Sequence, residues 1–181
     1  MTATISITES AVLTGLRAWL IYVLGSSVEV IQELENRVPT PKSSFVLMNR
    51  VGRKGLSFPI ASYVDEQSVG TIPAICEVIH TEPVELSVQV DCYGPTAGDM
   101  MEMISATWHT MTACGYLSAY AIKPLFNDDA RQMPFITGEK QYVHRWTITL
   151  HLQYNPAVAL WQDFMSEAEA GIINVDRTYP A

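Results

Sequence analysis

Two stretches of strict alternation constrain this chain more than anything else in it. From Val84 to Cys92, every second residue is apolar (Val84, Leu86, Val88, Val90, Cys92), and Glu85, Ser87, Gln89 and Asp91 fill the gaps. From Tyr142 to Tyr154, Tyr142, Trp146, Ile148, Leu150, Leu152 and Tyr154 share one parity; Arg145, Thr147, Thr149, His151 and Gln153 share the other. Strand side chains point alternately to opposite faces, so each pattern predicts a strand with one face on a core and one toward solvent or a polar partner. Gly94-Pro95 breaks the first strand. From Thr96, which can cap it, a helix is predicted to about Ala113, with an apolar stripe of Ala97, Met101, Ile104, Trp108 and Met111. Asp99 and Glu102 lie near its positive end, and Gly115 marks its stop. Half-buried strands flanking an amphipathic helix specify an α+β domain: an antiparallel-rich mixed sheet covered on one face by helices.

A second main helix is predicted from Thr8 to Leu24, on the spacing of Leu13, Leu16, Leu20 and Leu24 widened by Val12 and Trp19, with Gly25 as its stop. Val28 to Leu34 alternates modestly, and Val38-Pro39-Thr40-Pro41 reads as a rigid link. Ser44 to Val51 is a strand candidate that runs into a turn-like Val51-Gly52-Arg53-Lys54-Gly55. Residues 55–81 read as a long hairpin or loop arm with its tip around Asp65 to Gly70. A strand is predicted near Leu117 to Ile122, then a long loop over 123–140 carrying Pro124, Asp128, Asp129, Pro134 and Gly138. Loops of that length are usually functional, which makes it an expected contact arm. Asn155 and Pro156 read as the cap and first residue of a short helix burying Leu160, Trp161, Phe164 and Ala168, although Glu167 and Glu169 oppose its dipole. Gly171 would stop it, leaving 171–181 as an extended tail. With 181 residues, the chain is expected to form one domain, 1–181.

Lys and Arg number 11 against 19 Asp and Glu, a net charge of −8. Sequence-independent nucleic-acid binding rests on cations that neutralise phosphates, so this chain should coat neither DNA nor an anionic membrane. Charged residues are 17%, against roughly 25% in an average soluble protein, which suggests a surface partly covered by other chains. The longest apolar run, Ala18 to Leu24, is far short of the ~20 residues of a membrane span. No basic residue precedes Arg17, unlike a signal peptide. Cys76, Cys92 and Cys114 are odd in number and form no C-x-x-C pair, consistent with a reducing compartment.

Recognisable chemistry is sparse. His144 and His151 are seven apart on one predicted strand and so face opposite ways, and His144 falls on the apolar parity as a core histidine would. Neither they nor His80 and His109 match a metal spacing. No nucleophile motif occurs. Gly52-Arg53-Lys54-Gly55 lacks the frame of a phosphate loop. Arg50, Arg53 and Lys54 form the densest basic spot of an acidic chain: either a solvated turn, or a complementary contact for an acidic neighbour or a local touch on passing DNA. With Asp128, Asp129 and Arg131 in the long loop, they are the candidate partner or oligomer contacts. No catalytic, cofactor-binding or metal residue is assigned. A small α+β hydrolase or a monomeric ligand-binding domain would be the readings from another class.

Two segments carry a family resemblance: Val84 to Ile104 (VELSVQVDCYGPTAGDMMEMI), an alternating strand that ends in Asp-x-Tyr-Gly and turns at once into a helix, and Trp146 to Ala181, with its Gln-Tyr-Asn-Pro and closing Asn-Val-Asp-x-Thr-Tyr-Pro. An N-terminal helix followed by a strand such as Phe45 to Met48 fits the same order. The chain resembles the neck and tail terminator proteins of tailed bacteriophages over most of its length; Gly55 to Thr81 matches nothing in that pattern. The resemblance implies a structural virion protein of the neck or tail, assembled in the host cytoplasm. It implies a homo-oligomeric ring, six copies favoured over twelve, that caps the tail tube protein and offers a docking face to the head connector or adaptor protein. DNA would pass its lumen without specific binding, and no membrane would be involved. A head-completion or collar adaptor is the alternative within that class. Low charge content, four methionines between Met100 and Met111, and the 123–140 loop could supply the two unlike faces that a ring subunit needs.

Overall fold

The computed structural model describes residues 3–32, 41, 43–64, 75–136 and 142–163. In chain order the elements are β1 (Thr4–Ile5), α1 (Glu9–Leu24), β2 (Glu29–Gln32), β3 (Phe45–Gly55), β4 (Ile60–Val64), β5 (Ile75–Thr81) and β6 (Val84–Tyr93). Then come α2 (Ala97–Trp108), α3 (Met111–Ser118), β7 (Lys123–Asn127), β8 (Arg131–Gln132), β9 (Phe135–Ile136), β10 (Tyr142–Val143), β11 (Arg145–Tyr154) and β12 (Ala157–Asp163).

The body is a six-stranded sheet ordered β2-β3-β6-β11-β7, with β8 also on β11. β2 runs parallel to β3 and every other pairing in this sheet is antiparallel. The alternating residues do what their parity predicts. Val84, Leu86, Val88, Val90 and Cys92 of β6 lie beside Ile148, Leu150, Leu152 and Tyr154 of β11, all buried against the helices. α1 and α2 supply the other half of this core through Val12, Leu16, Trp19, Met101, Ile104 and Trp108. Trp19 and Trp108 meet edge to face, ring centroids 5.0 Å apart. Each fully buried Leu, Ile or Val contributes about 1.5–3 kcal/mol. α1 is capped by Thr8, whose side-chain oxygen accepts from the Ala11 N–H at 3.2 Å. The turn from β6 into α2 passes through Gly94 at φ +106°, where a Cβ would come within 2.9 Å of the Ser44 Cα. The fold is therefore an α+β domain with an antiparallel-rich mixed sheet under helices.

A second sheet, ordered β1-β12-β5-β4 and antiparallel throughout, extends the first. β5 and β12 continue β6 and β11. Arg145 faces Tyr93 and Tyr154 faces Val84, then Ala157 faces Thr81 and Asp163 faces Ile75, in one unbroken register. Proline has no N–H to give the ladder, so Pro83 and Pro156 divide the ribbon into two sheets without shifting it. The Glu82 N–H still donates to the Pro156 carbonyl at 3.2 Å. We call β1, β12, β5 and β4 the arm.

Several local expectations are corrected. Val51-Gly52-Arg53-Lys54-Gly55 is not a turn; it is the second half of β3, paired with Ser87 to Val84 beyond a register shift after Arg50. The helix from Thr96 stops at Trp108, because Thr110 starts a new one: its hydroxyl accepts from the Ala113 N–H at 3.3 Å. Gly115 is inside that helix, and the strand predicted over Leu117 to Ile122 is its end plus a turn through Ala121 at φ 57°. Thr96 does not cap α2 with its side chain but hydrogen-bonds Ser44 Oγ at 2.9 Å. Within the stretch read as a loop from Lys123, β7, β8 and β9 form because β11 and β10 offer them partners. Asn155-Pro156 opens a strand, not a helix: β5 supplies β12 with a full ladder that outweighs the local helix pattern. His144 is exposed, between β10 and β11. The link at residues 38–40, the tip at 65–70, Phe164 to Ala168 and the tail 171–181 lie outside the described residues.

Candidate assembly surface

The arm carries the densest exposed apolar surface of the described residues. Every residue from Leu56 to Val64 is exposed, with Phe58 at 92%, Ile60 at 68% and Tyr63 at 63%. Across the sheet, Leu160 and Trp161 of β12 and Ile5 of β1 are exposed as well. Register places them on both faces: Tyr63, Val78 and Leu160 share one row and one face, and Val64, Glu77 and Trp161, in the next row, share the other. Only Val78 in the first row is buried. Large apolar groups exposed on both faces of one sheet suit contact with other protein.

The residues singled out from sequence fall into two sets that the fold keeps apart. Arg50, Arg53 and Lys54 lie on β3, while Asp128, Asp129 and Arg131 lie around β7 and β8 on the far side of β6 and β11. Arg50 is tied to Glu9 at the start of α1, Nη1 to Oε1 3.0 Å, with both side chains about two-fifths exposed. Arg53 is paired with Leu86 and Lys54 with Glu85, so they take opposite faces of the sheet; Arg53 stays with Arg50, lining one pocket with Glu9, and Lys54 is turned away. Asp128 approaches His151, Oδ1 to Nε2 3.6 Å, Asp129 is exposed, and Arg131 is exposed opposite Thr147.

Sequence reasoning missed the polar layer on the face of the body sheet away from the helices. Asp91 is the buried acid, 2% exposed; Arg145 Nη2 donates to it at 2.7 Å, and Gln89 Nε2 lies within 3.1 Å of both its oxygens. The Arg145 guanidinium also lies over the Tyr93 ring, which stacks on Phe45. Nearby, His151 Nδ1 is 2.7 Å from Glu85 Oε1 and 3.1 Å from Ser87 Oγ, and Phe126 stacks on the imidazole at 4.1 Å. The signal was present as the second parity of each alternating strand; what sequence lacked was the register that brings Asp91 beside Thr147 and Ser87 beside His151.

This layer is built for cohesion. Ser87 and Glu85 share the Nδ1 of His151, and Asp128 lies 3.6 Å from its Nε2. Burial, with Asp91 adjoining, pushes the Cys92 thiol up to about 12, which removes its nucleophilic form at neutral pH. Among the described residues no three His, Cys, Asp or Glu side chains come together as a metal site. Among them too, no helix is long and apolar enough to cross a membrane. Of the methionines in the helices, Met100 and Met101 are core, while Met103 and Met111 are exposed, the latter at 86%.

Among solved structures, the chain is similar to the sheath/tube terminator of an extracellular contractile injection system, PVC, in its extended state: 13% identity, TM-score 0.46, covering 96% of this chain and 65% of that one, under two thirds of its length. A search of curated proteins finds no match. The family model for the phage neck terminator protein matches residues 10–177, so it takes in the body and nearly all of the arm. With that match along almost its whole length, the chain belongs to the phage neck terminator protein family, structural proteins of the virion.

Proposed function

We propose that this chain is one subunit of a homo-oligomeric ring, of six copies, that closes the head-proximal end of the tail tube. It would offer its other side to the head connector and leave an open bore for DNA. The observation that carries this reading is the apolar arm sheet on a chain of the neck terminator family: Phe58, Ile60, Tyr63 and Trp161 are exposed in a way that suits a covered surface, not a free monomer. The low charge content of 17% supports it from the composition. A net charge of −8 suits a bore that repels phosphate and lets DNA slide. The sets Arg50, Arg53, Lys54 and Asp128, Asp129, Arg131, on different parts of the sheet, are candidates for contact with unlike neighbours. In this reading the chain is a single domain, with residues 55–81 as a hairpin or loop arm, 123–140 as a contact arm and 171–181 as its tail.

The test is to mix the purified full-length chain with tubes of the tail tube protein, then measure native mass and image the tube ends. Collars of six copies at one end only are the expected result. Collars of twelve that bind the connector and not the tube would replace this reading with a collar adaptor. Tubes that stay bare and grow unchecked would overturn it.

A further inference from the structure

We infer that the two edges of the arm sheet join copies of this chain: β4 of one copy pairs antiparallel with β1 of the next. This deepens the ring reading and rests on it. The sheet holds four strands, β1-β12-β5-β4, and each neighbour pair is antiparallel. An even number of alternating strands makes β1 and β4 run in opposite senses. A rotation that carries β4 alongside the next copy's β1 while keeping the strand axis therefore continues the antiparallel order. This unlike-to-unlike contact is the kind that closes a ring.

The chemistry of β4 supports the assignment. Among the described residues it is the last strand on its side. Natural edge strands are blunted by short length, charge, proline or a bulge; β1, with two residues, is short, whereas β4 has five. Ile60-Ala61-Ser62-Tyr63-Val64 has no charge and no proline, and its register with β5 runs without a shift from Ile60–Thr81 to Val64–Glu77. The body sheet's edge differs: β2 carries Glu29, and Arg17 of α1 donates to its Val30 carbonyl at 2.9 Å. The uncharged run extends over Leu56 to Val64 in a chain of net charge −8. Copies that repel one another overall can meet on such a strip, while DNA finds no cation there.

Register also supplies the test. Thr4, Ala159, Ile79 and Ser62 form one row across the sheet. Three strand spacings put Thr4 and Ser62 ~14 Å apart within one copy, beyond the ~7 Å that a disulfide tolerates. Between copies joined as proposed, the same two positions adjoin, and both are exposed. Phage particles carrying Thr4→Cys with Ser62→Cys are oxidised and run on a non-reducing gel, beside each single variant and beside Thr4→Cys with Ile60→Cys, which covers a register displaced by two. A ladder of covalent multimers with either double variant and neither single variant is the expected result. Dimers from Ser62→Cys alone would mean like edges meeting and would overturn the pairing. Intact collars by microscopy with no ladder in either double variant would overturn it too, and leave the ring standing. Wild-type particles without this chain would end both readings.

Discussion

The body and the arm share two long strands in one register, yet they differ in what covers them. In the body, α1, α2 and α3 lie on the inner face, so each second residue from Val84 to Cys92 and from Ile148 to Tyr154 is buried. In the arm the same ribbon goes on past Pro83 and Pro156, and among the described residues Val78 is its one large apolar side chain that is buried. Pairing alone does not make a core; the helical layer does. Stability is therefore expected to live in the body and association in the arm, a division that three kinds of substitution can break.

The largest effect separates two tryptophans. Trp108 is fully buried against Trp19, and its indole N–H donates to the Phe126 carbonyl at 3.1 Å. Trp108→Ala should lower the unfolding free energy by about 3–5 kcal/mol in denaturant titrations. Trp161→Ala, in the arm and 44% exposed, should cost less than about 1 kcal/mol and instead reduce oligomer mass in light scattering. Equal losses of stability at the two sites would erase the distinction.

Next come two arginines. Arg145→Met leaves Asp91 buried without its cation, which should cost about 3 kcal/mol. The double variant Asp91→Leu with Arg145→Met should recover most of that. Arg50→Met breaks only the exposed pair with Glu9 and should move the melting curve by no more than about 0.5 kcal/mol. A large effect at Arg50 would show that an exposed pair holds the body as firmly as the buried one does.

The smallest effect at neutral pH is chemical. Cys92 holds its proton more tightly when folded, at about 12 against an ordinary 9.0. The native state thus keeps a proton that the unfolded chain releases, and this contribution is whole below pH 9 and fades as pH rises toward 12. Wild-type stability should fall faster than that of Cys92→Val over that window, by a difference approaching ~1 kcal/mol per pH unit. Parallel curves would mean that the thiol does not sense its burial.

Much of the body was legible because alternation is a property of single strands: the parities of Val84 to Cys92 and Trp146 to Tyr154 named the buried face residue by residue. The α1 boundary was equally plain, since Thr8 and Gly25 are local signals. The arm was harder. Asn155-Pro156 has the local signature of a helix start, and only a distant partner, β5, makes it a strand; long-range pairing leaves no mark in a short window. The same holds for Gly52 to Gly55, where turn-prone residues are held extended by β6. The basic and acidic candidates were visible as charges, but their separation across the sheet was not. The exposed apolar strip went unremarked because a run such as Leu56 to Val64 looks like core until a structure leaves it bare.

The unbroken register through Pro83 and Pro156 has a mechanical meaning. Sliding the arm by one residue would require the body strands to slide with it, and that would turn Leu86, Val88 and Leu150 out of the interior. The aim of each bare side chain at the outer end is thus set by the oil-filled hull behind it, as the blade of an oar is set by the grip.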